Sequence, residues 1–150
     1  MKRSLLLLLT ACGVLFGSSL LNSTYGQVTI DCFPYFQDFD DWSTCSNTCQ
    51  APCAGEDGWT NDPTGDTQDW TTWTGGTTSG STGPSADHTS GNGNYIYMET
   101  SGSCSGSNDS CFITTPLFDL NGLPNAFFAY WRHLYGATIG SLHVDLRTYT

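Results

Sequence analysis

The chain has 150 residues, 14 of them acidic and 4 basic, for a net charge of −10. So acidic a surface excludes nucleic-acid binding, which needs clustered Lys and Arg to neutralise phosphates, and it excludes attraction to anionic membranes. The length suits one domain with a real core rather than two.

Lys2 and Arg3 precede an apolar stretch from Leu5 to about Leu21, and small and polar residues follow up to Gly26 and Gln27. This is the arrangement of a secretory signal peptide, so residues 1–26 are expected to be removed on export. A retained membrane anchor is the rival. Thr10, Gly13, Gly17, Ser18 and Ser19 interrupt the run, which falls short of the roughly 20 clean apolar residues a span needs. Leu9-Thr10-Ala11-Cys12 also reads as a bacterial lipobox, but Val14, Leu15 and Phe16 follow where a lipoprotein carries a polar tether. Cleavage takes Lys2 and Arg3 away and leaves Arg132 and Arg147 against all 14 acids. The remainder is expected to be secreted or at the cell surface, with no direct membrane insertion.

Of the seven cysteines, Cys12 goes with the leader, leaving Cys32, Cys45, Cys49, Cys53, Cys104 and Cys111. An even set in an exported chain reads as disulfides. Zinc is the minority alternative, because Cys45, Cys49 and Cys53 are regularly spaced. Cys104 and Cys111 are expected to pair locally. The four N-terminal cysteines allow three pairings, and the spacing does not choose among them. Residues 27–57 thus form a cysteine-rich N-terminal segment.

Residues 58–90 are rich in Thr, Gly and Asp, with Trp59, Trp70 and Trp73 as rings that pin such loops to a core. An Asp87-His88 corner and a Gly/Asn turn lead into an alternating strand over 94–100. A short strand over 111–115 ends at Pro116. Residues 126–135 are apolar on both faces, which predicts a strand covered on both sides. Gly136 and Gly140 bracket a turn, and the last strand points Leu142, Val144 and Leu146 inward and His143, Asp145 and Arg147 outward. No segment shows a helical period. The pattern predicts an all-β jelly-roll sandwich of two antiparallel sheets.

Several separated pieces occur in the order found in the MAM domain, an extracellular adhesion and interaction module, and the chain resembles that family over about 39–148. Phe39-Asp40-Asp41 is similar to the family's opening, Gly58-Trp59 and Asp69-Trp70 to its next motifs. The stretch 83–99, GPSADHTSGNGNYIYME, is the closest match. Thr115-Pro116-Leu117, the run 128–136 with Trp131, His133 and Tyr135, and Gly140-Ser141-Leu142-His143-Val144 complete it. The resemblance implies a MAM-like domain over 39–150 with a cysteine-rich insertion. The family's strand cysteine near Phe127 is absent, so its long-range disulfide cannot form here. A family member would continue past Thr150, so the sandwich is expected to be incomplete at its C-terminus.

Asp40, Asp69 and Asp87 fall on acidic positions of that pattern and are the candidate ligands of a structural Ca2+, which takes six to eight oxygens. The alternative is that these aspartates cap turns through their own backbone. His88 and His133 resemble structural histidines, and His143 sits on an outward strand face. No HExxH, GxSxG or Walker-type motif is present. The reading is a non-catalytic module that contacts a protein, or another copy of itself, through exposed loops. Two alternatives remain: a carbohydrate-binding module using Trp42, Trp59, Trp70 or Trp73, and an accessory domain of a secreted hydrolase such as a peptidase.

Overall fold

The computed structural model describes residues 27–46, 53, 55–62, 65–104, 109–137 and 139–149. The fold is all-β, as the pattern predicts. Its elements are β1 (Thr29–Ile30), β2 (Thr60–Asn61), β3 (Thr71–Thr74), β4 (Asn94–Tyr97), a 3-10 turn at Gly102–Cys104, β5 (Ile113–Thr114) and β6 (Leu117–Phe118). They pair in twos: β3 with β4 and β2 with β5 antiparallel, β1 with β6 parallel. The expected strand over 94–100 is realised as β4, and that over 111–115 as β5.

The β3–β4 ribbon is the longest ladder, with Thr71 opposite Tyr97 and Thr74 opposite Asn94. Thr71 and Thr72 are fully buried, as β-branched residues suit the covered side of a pleat. Cys45 extends this ribbon. Its N–H donates to the Thr72 carbonyl at 3.1 Å, and the Thr72 N–H points at the sulfurs of Cys45 and Cys53, 3.3 Å from each. These two cysteines form a disulfide.

The core is aromatic, and its indoles are held by polar partners. Trp42 is 4% exposed; its ring meets Phe39 edge-on at 4.9 Å and Trp59 at 6.2 Å. Its Nε1–H donates to Asp57 at 3.0 Å, and Trp59 Nε1–H to the Tyr35 hydroxyl at 2.9 Å. Phe39 adopts φ = 68°, a left-handed conformation that strains a bulky residue. Its packing on both indoles and the Gln37 side chain on its N–H, at 2.7 Å, hold it there. Buried Asn61 ties β2 to the start of β3 by donating to the Cys53 and Trp70 carbonyls and accepting from the Trp70 N–H.

Three expectations need correction. Cys111 is a free thiol, so it does not bridge to Cys104; Cys32 and Cys104 are each engaged in a disulfide. Cys49 lies outside the described residues, as do 1–26 and the signal peptide read there. Residues 126–135 and 141–149 run without ladder pairing, and apart from half-buried Leu142 they are exposed. Phe127 is 92% exposed, Trp131 74% and Leu146 87%. The two-sided apolar pattern does not become a covered strand, because a strand needs a partner ladder of N–H and C=O groups, and among the described residues no strand pairs with this segment.

Candidate interaction face

The loop of residues 75–93 joins β3 to β4, and Asp87 organises its second half. Asp87 Oδ2 accepts the Thr89 and Ser90 N–H groups at 2.9 and 2.7 Å. Its Oδ1 accepts the Gly93 N–H at 2.8 Å and the Ser90 hydroxyl at 3.1 Å. Four donors fill the roughly four lone-pair positions of a carboxylate. Hydrogen bonding, the Ser90 amide foremost, holds the Asp87 carboxyl below its usual range against the opposing effect of burial.

Asp40 reaches the same turn from far upstream. Its Oδ1 accepts the Asn94 N–H at 2.8 Å, and the Asn94 side chain donates back to the Asp40 and Trp42 carbonyls at 3.3 and 2.9 Å. A methyl group on Gly93 would collide with the Asp40 carboxylate, so the sequence needs glycine there for space. Asp40 and Asp87 clamp consecutive amides at the entry to β4.

Asp69 belongs to another group, with Asp62 and Asp66. Burial first, then those two charges, push its carboxyl above the usual range. Asp62 accepts the Gly65 N–H at 2.9 Å and Asp66 the Phe112 N–H. Among the described residues no three His, Cys, Asp or Glu side chains gather where one ion could be held. The three carboxylates taken together from the sequence are therefore divided between two places.

The Cys111 thiol is pushed up to about 12, by burial and then by the charges of Asp66 and Asp69. A thiol so disfavoured as thiolate is a poor nucleophile. The Tyr97 hydroxyl is likewise pushed up to about 12, by burial first and then by Glu99 and Tyr95. Buried Glu99 accepts the Ser101 N–H at 2.9 Å and the Ser79 hydroxyl at 3.4 Å, so it ties down a loop.

His88 lies flat on Trp131, with ring centroids 3.7 Å apart and planes 14° from parallel. Next to this stack, the Tyr135 carbonyl accepts the Thr82 hydroxyl at 3.0 Å and the Gly83 N–H at 3.4 Å. The loop before β4 thus carries residues 126–135 on its outside. Beyond the stack are exposed Phe127, Phe128, Tyr130, Leu134 and Tyr135. His133 sits edge-on to Tyr135, 6.2 Å between centroids, and His143 is exposed. The sequence reading missed the His88–Trp131 pair, because nothing in the spacing of residues 43 apart announces a stack.

The tryptophans weighed as sugar platforms are buried or half-buried. Trp42 is buried, Trp59 donates to Tyr35, Trp73 donates to the Gly76 carbonyl at 3.0 Å, and Trp70 has its Nε1 buried. Trp131 is the exposed one among the described tryptophans, with His88 stacked on it.

The chain matches the MAM domain, meprin/A5/mu, over residues 38–150. It belongs to the MAM domain family. Among curated relatives, neuropilin-1a of Danio rerio is 28% identical over 135 residues, 89% of this chain and 13% of the relative. The chain therefore spans only 13% of that relative's length. No solved structure matches it. The motifs of this MAM domain turn out to be structural parts: Trp59 packs on buried Trp42, Asp40 and Asp87 hold the β4 turn, and His88 packs on Trp131. MAM domains are β-sandwich modules of extracellular and cell-surface proteins that mediate protein contact. No helix among the described residues is long and apolar enough to cross a membrane.

Proposed function

We propose that this MAM domain is a non-catalytic contact module, exported by its leader, which binds another protein through residues 126–149. The observation that carries this reading is a segregation of charge and apolar surface. Arg132 and Arg147, the two basic residues left after export, lie exposed on this segment among its open aromatic and aliphatic side chains. All but one of the 14 acidic residues, Asp145 being the exception, lie elsewhere. Aromatic rings with arginines are the combination that supplies most binding energy at protein interfaces. The partner that fits is a protein whose surface presents an apolar patch within an acidic rim, since complementary charge steers docking.

The test is surface plasmon resonance of the exported chain against extracellular proteins with acidic surfaces, at two salt concentrations. Binding that weakens with salt and falls at least tenfold on Trp131→Ala or on Arg132→Glu supports the reading. Binding to none of them, with tight binding on a glycan array instead, overturns it for the sugar alternative. Concentration-dependent dimerisation lost on the same substitutions would make the partner a second copy of the chain.

A further inference from the structure

We infer that Gln27 becomes the N-terminal residue of the mature chain and closes on itself to pyroglutamate. This rests on the export reading above, because the ring needs a free α-amine at residue 27. Small residues lead up to the junction, with Thr24 and Gly26 at the third and first positions before Gln27, and small side chains at those positions are what signal cleavage requires. Gln27 is the residue type whose side-chain amide lies within five-membered-ring reach of its own α-nitrogen.

The reaction balances without any co-reactant. The α-amine nitrogen attacks the side-chain amide carbon Cδ, a C–N bond forms, the bond from Cδ to Nε2 breaks, and ammonia leaves with a proton from the attacking amine. No oxidant, reductant or metal is consumed.

The surrounding structure tolerates the change. Gln27 is exposed, two residues ahead of β1. The chain is anchored immediately after it, where the Val28 carbonyl accepts the Leu117 N–H at 2.9 Å at the start of the β1–β6 ladder. The one contact that cyclisation removes is the Nε2–H donated to the Thr115 carbonyl at 3.0 Å. Thr115 is half-buried, but this bond lies at the exposed edge, where water can replace it, and the lactam keeps one N–H as a donor. The product carries no terminal charge and has no free amine for an aminopeptidase to grip.

The experiment is mass spectrometry of the N-terminal peptide of the full chain expressed through a secretory pathway, for wild type and Gln27→Ala. The expected wild-type peptide starts at residue 27, is lighter than the glutamine form by one ammonia, and gains a free amine after pyroglutamyl-aminopeptidase treatment and loss of that residue. The Gln27→Ala chain should start at the same position with an unblocked amine. A wild-type peptide that starts at residue 27 with intact glutamine overturns the cyclisation and leaves the export reading standing. A peptide that starts at another residue after leader removal overturns the cyclisation alone, and one that still carries residues 1–26 overturns both.

Discussion

Asp40 accepts the backbone N–H of Asn94 across 54 residues of sequence, at 2.8 Å. The contact joins the segment before the buried Trp42 to the first residue of β4, and Asn94 returns two bonds to that segment. A carboxylate on a backbone amide is a charge-assisted bond, stronger than a neutral one but weakened here by exposure.

Asp40→Ala should therefore cost about 1 kcal/mol, below the range of roughly 1.5–3 kcal/mol for bonds to charged groups because solvent screens this one. Asp40→Asn, which keeps an acceptor oxygen, should cost less. Urea unfolding followed by tryptophan fluorescence measures both. Equal losses for the two variants would mean that a neutral acceptor cannot stand in for the carboxylate and that its charge carries the contribution.

Asp87 sets a test between turn chemistry and a bound cation. Its oxygens already accept four donors, so chelator is expected to leave the melting temperature unchanged, and Asp87→Ala to lower it with or without Ca2+. A melting temperature that rises with added Ca2+ and falls with chelator would restore the ion. The pH dependence has a definite sign. The Asp87 carboxyl is held below its ordinary value in the folded state, so its contribution is present above the unfolded value of about 3.9 and is lost as pH falls through the lower folded value. Asp69 is raised and acts oppositely: its folded form binds the proton more tightly, so its contribution is present at low pH and lost as pH rises through the raised value. Acid titration of Asp87→Ala should accordingly show a shallower loss of stability below about pH 4 than wild type.

Much of this was legible in the sequence, for reasons that differ by element. Alternation exposed the β4 and β5 segments because each has its partner strand within the chain. Trp59 announced itself as core because a large ring in a Gly/Thr-rich stretch has to be buried somewhere. The disulfide partners of the N-terminal cysteines were not legible, since spacing does not encode which sulfurs meet. The split of Asp40 and Asp87 from Asp69 was hidden too, because it depends on how the loops of 62–69 and 75–93 return to different strand ends. Residues 126–135 show the other limit. A two-sided apolar pattern states what a segment must have beside it, and says nothing of whether that neighbour is present.

The Cys45–Cys53 disulfide closes a short loop, with a sequence separation of 8. Chain-entropy arguments give about 2.5 kcal/mol for a loop of that length. The bridge also stands against the buried Thr72 N–H, so its removal should be felt in β3. The double variant Cys45→Ser, Cys53→Ser is expected to lower the urea midpoint by an amount equivalent to about 2–3 kcal/mol, with faster amide exchange in 71–74. A midpoint unchanged from wild type would show that other contacts fix this segment.

Cys111 permits the sharpest chemical test, because it is the described cysteine left as a thiol. Iodoacetamide reacts with thiolate, and a group pushed up to about 12 by burial, Asp66 and Asp69 holds almost none at pH 8. An unfolded cysteine, near about 8.5, holds a substantial fraction at that pH. Native protein should therefore label slowly at this residue and urea-unfolded protein rapidly, with both signals at its peptide lost in Cys111→Ser. The raised value also fixes a sign at alkaline pH: the thiol's contribution to stability is full below about 8.5 and is lost as pH rises towards the folded value. Asp66→Asn takes away one of the two charges that disfavour the thiolate, so it should speed native labelling while Asp40→Ala, at the other cluster, leaves it unchanged. Rapid labelling of native wild type at pH 8 would place the sulfur in contact with solvent and remove the basis for both statements.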